Sequence, residues 1–308
     1  MSFKARVGAS IPTLAAMNCH HRFFSLDSFF SSAQANGFEV VELWTCPQHF
    51  FIDYLQHDST DMLIDLESRY GVKIIGICPE QTNPKPHNMA ACGSEAQTRV
   101  FSYFRNVVDV AAAVGANQVV VTSGWAFLDE SIDAAYERSV DMLRRVAGYA
   151  EARDIPLAIE ALQKRESVLA NTAEDLKRLI DDVGSPALKV CLDTGAMARA
   201  GDSIEAYFNL FADDIIHAHF VDVDENSTHK AWGDGRRDMA EDLGAMVQGG
   251  YHGYLSVETT SSMYFDRPST ADVRAMRSYR DAIEHLQEWR NKDGKLKESE
   301  SDAAEGGK

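Results

Sequence analysis

The stretch IPLAIEAL, residues 155–162, follows the polar pair Arg153–Asp154 and has the length and apolarity of a buried β-strand. It also carries Glu160, a residue type almost never buried without a partner. Three later runs repeat the anomaly. LKVCLDTG (188–195) holds Asp193, IIHAHFVD (215–222) holds His219, and GYLSVETT (253–260) holds Glu258. The separations are 33 (193 − 160), 26 (219 − 193) and 39 residues (258 − 219). Each is about one strand-plus-helix unit, so the four polar residues fall on consecutive strands.

Upstream, ARVGAS (5–10), EVVELW (39–44), VKIIGICPE (72–80) and NQVVVTSG (117–124) read as four further strands. Amphipathic segments separate the runs: LDSFFSSAQANG (26–37), SEAQTRVFSYFRNVVDVAAAVG (94–115), SIDAAYERSVDMLRRVAGYAEAR (131–153) and TAEDLKRLIDDVG (172–184). Gly37, Gly71, Gly115 and Gly184 each sit just past a periodic segment, where a left-handed helix cap is wanted. Strand then helix, eight times over, predicts an α/β chain folded as a closed (β/α)8 TIM barrel. An open doubly wound sheet would often place a Gly-rich phosphate loop after the first strand. SIPTLAAMNCHHR (10–22) contains no G-x-G-x-x-G. No linker divides the chain, so one domain is expected over residues 5–290. The charged, aromatic-free tail NKDGKLKESESDAAEGGK (291–308) is expected to be disordered.

The formal charge is −17, from 30 Lys and Arg against 47 Asp and Glu. That balance disfavours nucleic acid or an anionic membrane as partner, because phosphate binding needs a basic footprint. No apolar run approaches the ~20 residues of a membrane span. The five cysteines (Cys19, Cys46, Cys78, Cys92, Cys191) are scattered, with no C-x-x-C, and read as free thiols of a cytoplasmic protein.

Side chains alternate faces along a strand. Leu157, Ile159, Val190, Leu192, Ala218, Leu255 and Val257 share the parity that faces the helices. Glu160, Asp193, His219 and Glu258 share the other, above Ala158, Cys191, His217 and Ser256, and should converge at the barrel mouth. Three carboxylates and an imidazole at one spot repel or shift their pKa values unless a cation joins them. Oxygen-rich ligation with one nitrogen suits Mn²⁺, with Mg²⁺ or Co²⁺ as alternatives.

These runs, with CHHR (19–22), VVELW, IIGICPEQTNPKPHNM, RESVLANTAEDL and VDVDENSTHKAWGDG, resemble the sugar isomerase/epimerase superfamily of xylose-isomerase-like barrels. Within it the similarity is greatest to fructoselysine 3-epimerases and ketose 3-epimerases, over roughly residues 7–285. The resemblance implies that Glu160, Asp193, His219 and Glu258 hold the metal and that Glu160 and Glu258 are also the catalytic acid/base pair. One departure is visible. Many relatives carry His three residues after the metal-binding Asp, and this chain has Ala196 there, which points to an unusual substrate.

The chemistry expected is removal of a proton next to a sugar carbonyl, through an enediolate, by a ketose or sugar-conjugate 3-epimerase. Candidate substrate contacts at strand ends and following loops are His20, Arg22, Glu42, Trp44, Glu80, Trp125, His229 and Arg236, with Gly233 and Gly235 as turn residues and Asn88–Met89 in a mobile cover. A lyase that cleaves C-glycosides of 3-oxo-sugars, acting with a small β-rich partner subunit, is the alternative. An apurinic-type endonuclease fits less well, since its chemistry uses several zinc ions and more histidines. By analogy with the family, a homo-oligomer is expected.

Overall fold

The computed structural model describes residues 10–305, with side chains described through residue 288. Eight parallel strands close into a barrel in sequence order: β1 (Thr13–Met17), β2 (Val40–Trp44), β3 (Lys73–Cys78), β4 (Gln118–Thr122), β5 (Leu157–Glu160), β6 (Leu188–Asp193), β7 (Ile215–His219) and β8 (Tyr254–Ser256). The ring is shut by β1 against β8, with Thr13, Leu14 and Ala15 opposite Tyr254, Leu255 and Ser256. Among the described residues the helices are α1 (Leu26–Asn36), α2 (Asp61–Tyr70), α3 (Ser94–Val114), α4 (Ile132–Glu151), α5 (Ala173–Val183), α6 (Thr194–Ala200), α7 (Ile204–Phe211), α8 (Met239–Gly249) and α9 (Ser269–Glu305). None is long and apolar enough to cross a membrane.

The first strand is corrected. ARVGAS lies, but for Ser10, outside the described residues, and the strand is instead TLAAM, within the segment read as the loop after it. Alanine is a poor strand former in isolation, but here the small side chains fit a crowded barrel wall. Residues 5–9 of the expected domain also lie outside the described residues. In the tail, the backbone continues α9 as a helix to Glu305; side chains beyond 288 and residues 306–308 lie outside the description.

The strand parity holds. Leu157, Ile159, Val190, Leu192, Ala218, Leu255 and Val257 pack into one core with helix residues such as Phe104, Leu143 and Leu176. The inward residues Ala158, Cys191, His217 and Ser256 are fully buried beneath the mouth. Gly37, Gly71, Gly115 and Gly184 all cap helices in the left-handed region. Thr172 starts α5 with a capping box: its hydroxyl accepts the Asp175 N–H, and the Asp175 carboxylate accepts the Thr172 N–H, both at 3.1 Å.

Candidate functional site

The ends of β5, β6 and β7 and the residue two past β8 deliver Glu160, Asp193, His219 and Glu258 to one point. Their ligand atoms all lie within 4.8 Å of one another. Asp193 also caps α6: its Oδ1 accepts the Gly195 N–H at 2.7 Å, which leaves Oδ2 turned into the site. His219 Nδ1 is 2.9 Å from Glu160 Oε2 and 3.2 Å from Glu258 Oε2. These approaches are short in distance yet off the hydrogen-bonding direction, so His219 Nδ1 and Glu160 Oε2 are buried without a hydrogen-bond partner.

Such orphaned atoms are costly unless another group takes them up. Among the described residues no Lys or Arg pairs with any of the four side chains. Three carboxylates and one imidazole, with no Lys or Arg paired to them, make a donor set that fits a divalent ion.

A fifth group enters from the loop after β7. His229 Nε2 lies 3.4 Å from Asp193 Oδ2 and 3.2 Å from Glu258 Oε2. Gln163 Nε2 donates to Thr228 Oγ1 at 3.0 Å, and Thr228 Oγ1 lies 2.8 Å from His229 Nδ1. These contacts hold the ring with Nε2 aimed at the carboxylates. The loop is held by buried Asp222, whose carboxylate accepts the backbone N–H groups of Val223, Gly233, Gly235 and Arg237 at 2.8–3.1 Å. Gly233 has φ +90°, and a Cβ on Gly235 would lie 2.2 Å from Asp222 Oδ1. The turn role expected for both glycines is therefore met by geometry.

The electrostatics separate the two glutamates. Burial pushes the Glu160 carboxyl up to about 7, against the pull of His219. Burial acts the same way on Glu258, but His219 and His229 together outweigh it and hold Glu258 well below the usual carboxylate range. Burial also works against charged His229, yet Asp193 and Glu258 raise its pKa well above that of free imidazole.

The cavity above the cluster is walled by Arg22, Trp44, Glu80 and His229, all four expected from sequence. Trp44 Nε1 donates to Glu80 Oε1 at 2.7 Å, and Lys85 Nζ pairs with Glu80 Oε2 at 2.7 Å. The Arg22 guanidinium lies over the rings of Trp44 and Phe265, 5.0 and 4.5 Å from their centroids. Lys85, Gln81, Arg165, Glu166 and Thr260 also line the wall. They sit in polar loops with no periodic signal, and sequence reasoning missed them.

Four expected substrate contacts are placed elsewhere. His20 is fully buried and bonds Asp272 of α9 at 2.8 Å; it packs a helix onto the barrel instead of facing the cavity. Glu42 lies one layer deeper, where its inward parity takes it beneath the cluster to His217 at 2.9 Å. Trp125 is clamped by Asn88, which accepts its N–H and donates to its carbonyl, and its ring meets Phe127 edge-on, off the cavity wall. The same clamp buries Asn88 and Met89, so they form a packed support and not a mobile cover. Arg236 is on the surface, paired with Glu225 at 2.8 Å, because the Asp222 turn directs it outward.

Comparison with known proteins adds to this geometry. The chain is 26% identical over 263 residues to fructoselysine 3-epimerase of Shigella flexneri, covering 85% of this chain and 95% of that one. Its fold matches the crystal structure of a D-tagatose 3-epimerase-like protein with a TM-score of 0.75 and 20% identity, covering 90% of this chain and 98% of the other. A second match, at TM-score 0.70 and 18% identity over 88% and 98% of the two chains, is the IOLI protein with a bound zinc atom. The sequence pattern described as a xylose isomerase-like TIM barrel matches residues 30–289. The chain therefore belongs to the xylose isomerase-like TIM barrel family.

Proposed function

We propose that the protein is a divalent-metal-dependent sugar epimerase that inverts the carbon next to a ketose carbonyl, as a 3-epimerase of a ketose or sugar conjugate. The observation that carries this reading is the convergence of Glu160, Asp193, His219 and Glu258 within 4.8 Å. The similarity to a fructoselysine 3-epimerase over 85% of the chain supports it.

All four side chains would hold the ion, and the oxygen-rich set favours Mn²⁺. A bound ion would polarise the substrate carbonyl and so acidify the neighbouring C–H. Glu160 and Glu258 come from positions three strands apart in an eight-strand ring, so they can address opposite faces of the planar enediolate. One carboxylate takes the proton from carbon as the carbonyl becomes the enediolate. The other gives a proton to the opposite face as the carbonyl re-forms, and no net oxidation occurs. Nε2–H of His229 keeps Glu258 oriented and charged. Arg22, Trp44 and Glu80 present a cation, a flat apolar face and an acceptor to the far end of the sugar.

Incubation of the Mn²⁺-loaded protein in D₂O with ketoses, Amadori sugars and 3-oxo-glycosides tests the reading. Deuterium should enter at C3, and Glu160→Gln and Glu258→Gln should each abolish exchange. Full exchange in either variant overturns the acid/base assignment. Release of an aglycone moves the protein to the lyases.

A further inference from the structure

Glu42 is a buried acid that the proton chemistry does not use. It sits on β2 with no exposed surface, and among the described residues no Lys or Arg pairs with it. Its Oε2 is hydrogen-bonded to His217 Nε2 at 2.9 Å and lies 3.2 Å from His219 Nε2, off the hydrogen-bonding direction. On the other side of His217, the Gln118 amide Nε2 lies 3.0 Å from Nδ1. The Gln118 amide is accommodated by Gly76, where a Cβ would come within 2.3 Å of Gln118 Nε2. Four strands (β2, β3, β4 and β7) thus contribute to one polar chain inside the barrel.

The protons along this chain are determined by what each group can do. An amide nitrogen only donates, so His217 Nδ1 accepts and the His217 proton is on Nε2, which donates to Glu42. An ionised carboxylate only accepts. It is the one acid within ion-pair reach of His219 Nε2 among the described residues. An ion held by His219 Nδ1, on the side of Glu160 and Glu258, would take that lone pair and leave the ring proton on Nε2, toward Glu42. A carboxylate on the far nitrogen also makes a ligating imidazole more basic and fixes its ring.

We propose that Glu42 is the positioning residue of the metal centre, selecting the His219 tautomer that ligates, with His217 and Gln118 fixing Glu42 in turn. The proposal rests on the metal-site reading above and adds to it the group that readies the imidazole.

The test is Mn²⁺ affinity, measured by calorimetry on the full chain for wild type, Glu42→Gln and Gln118→Leu, with circular dichroism to check folding. Glu42→Gln should weaken Mn²⁺ about 10–100-fold, and Gln118→Leu should weaken it less. At saturating Mn²⁺, KM should stay near the wild-type value. Glu42→Asp should recover part of the affinity. A residue that only packs the core would lower the melting temperature and leave affinity alone; that result overturns the proposal. Should Glu42→Gln not fold, Gln118→Leu decides: weakened Mn²⁺ binding supports the proposal, and wild-type affinity sinks it. A wild type that takes up no divalent ion overturns the metal reading and this proposal together. A wild type that binds while Glu42→Gln binds equally well overturns this proposal alone.

Discussion

His229 Nε2 stands 3.2 Å from Glu258 Oε2, so a loop histidine supplied by the seventh unit meets a carboxylate supplied by the eighth. Removing a charged neighbour shifts the acidity of a buried carboxylate, and each ~1.4 kcal/mol of barrier is a factor of ten. His229→Ala should therefore lower kcat/KM for the epimerisation by about 10–100-fold. Steady-state kinetics on the preferred ketose checks this. An unchanged kcat/KM would show that His229 does not tune Glu258.

Gly195 is the point where the strand-six turn and the loop after β7 touch. A Cβ there would lie 2.4 Å from the Thr228 carbonyl and 3.2 Å from His229 Cε1. The obstacle is backbone, which cannot rotate away, so the loop must move. Gly195→Ala should cost about 1–3 kcal/mol of stability and should displace His229 from the carboxylates. Urea unfolding reads the first effect, and kcat reads the second.

Acid should destabilise the fold in two stages through the cluster that ties α9 to the barrel. His20 and His21 each bond Asp272, at 2.8 Å. Burial lowers the His21 pKa from 6.5, against the pull of Asp272. Below pH 6.5 the unfolded chain then takes up a proton that the folded chain refuses, and stability falls. Burial opposes ionisation of Asp272, but its hydrogen bonds from both histidines prevail and hold it below the ordinary 3.8. Its contribution is present above that value and is lost as pH drops through the folded pKa. Urea midpoints measured from pH 8 to pH 3 should show both declines. His21→Gln should remove the first, and Asp272→Asn the second.

A divalent ion that binds only the folded chain stabilises it by about 2.7 kcal/mol at one hundred times its dissociation constant. Adding Mn²⁺ at that level should raise the melting temperature by several degrees, and excess EDTA should reverse the rise. Asp193→Asn and His219→Gln should respond to neither. A melting curve indifferent to both additions would contradict the metal site.

Much of this was legible before any coordinates. β2 to β8 stand out as short runs rich in Val, Ile and Leu, and the barrel follows from their regular alternation with helices. The four polar residues that interrupt β5 to β8 marked the centre, because a charged residue in a buried strand needs a reason. β1 was illegible because its small residues suit a barrel wall and not an isolated strand. Glu42 shows a different limit. Its burial and inward parity are visible in VVELW, but its partners His217 and His219 are 175 and 177 residues away (217 − 42, 219 − 42), and only closure of the ring brings them together. For His20 the deciding partner is Asp272, on a helix at the other end of the chain. Lys85 and Glu166 lie in loops, where neither period nor composition separates a cavity wall from plain surface.

The seam between Thr13–Ala15 and Tyr254–Ser256 has a consequence for synthesis. The first staves of the cask must wait at the ribosome, one edge bare, until nearly the last hoop is made. The clasp that locks them, Asp272 onto His20 and His21, emerges later still. A ribosome halted before residue 254 should leave an open ring whose raw margins invite capture by chaperones or by one another.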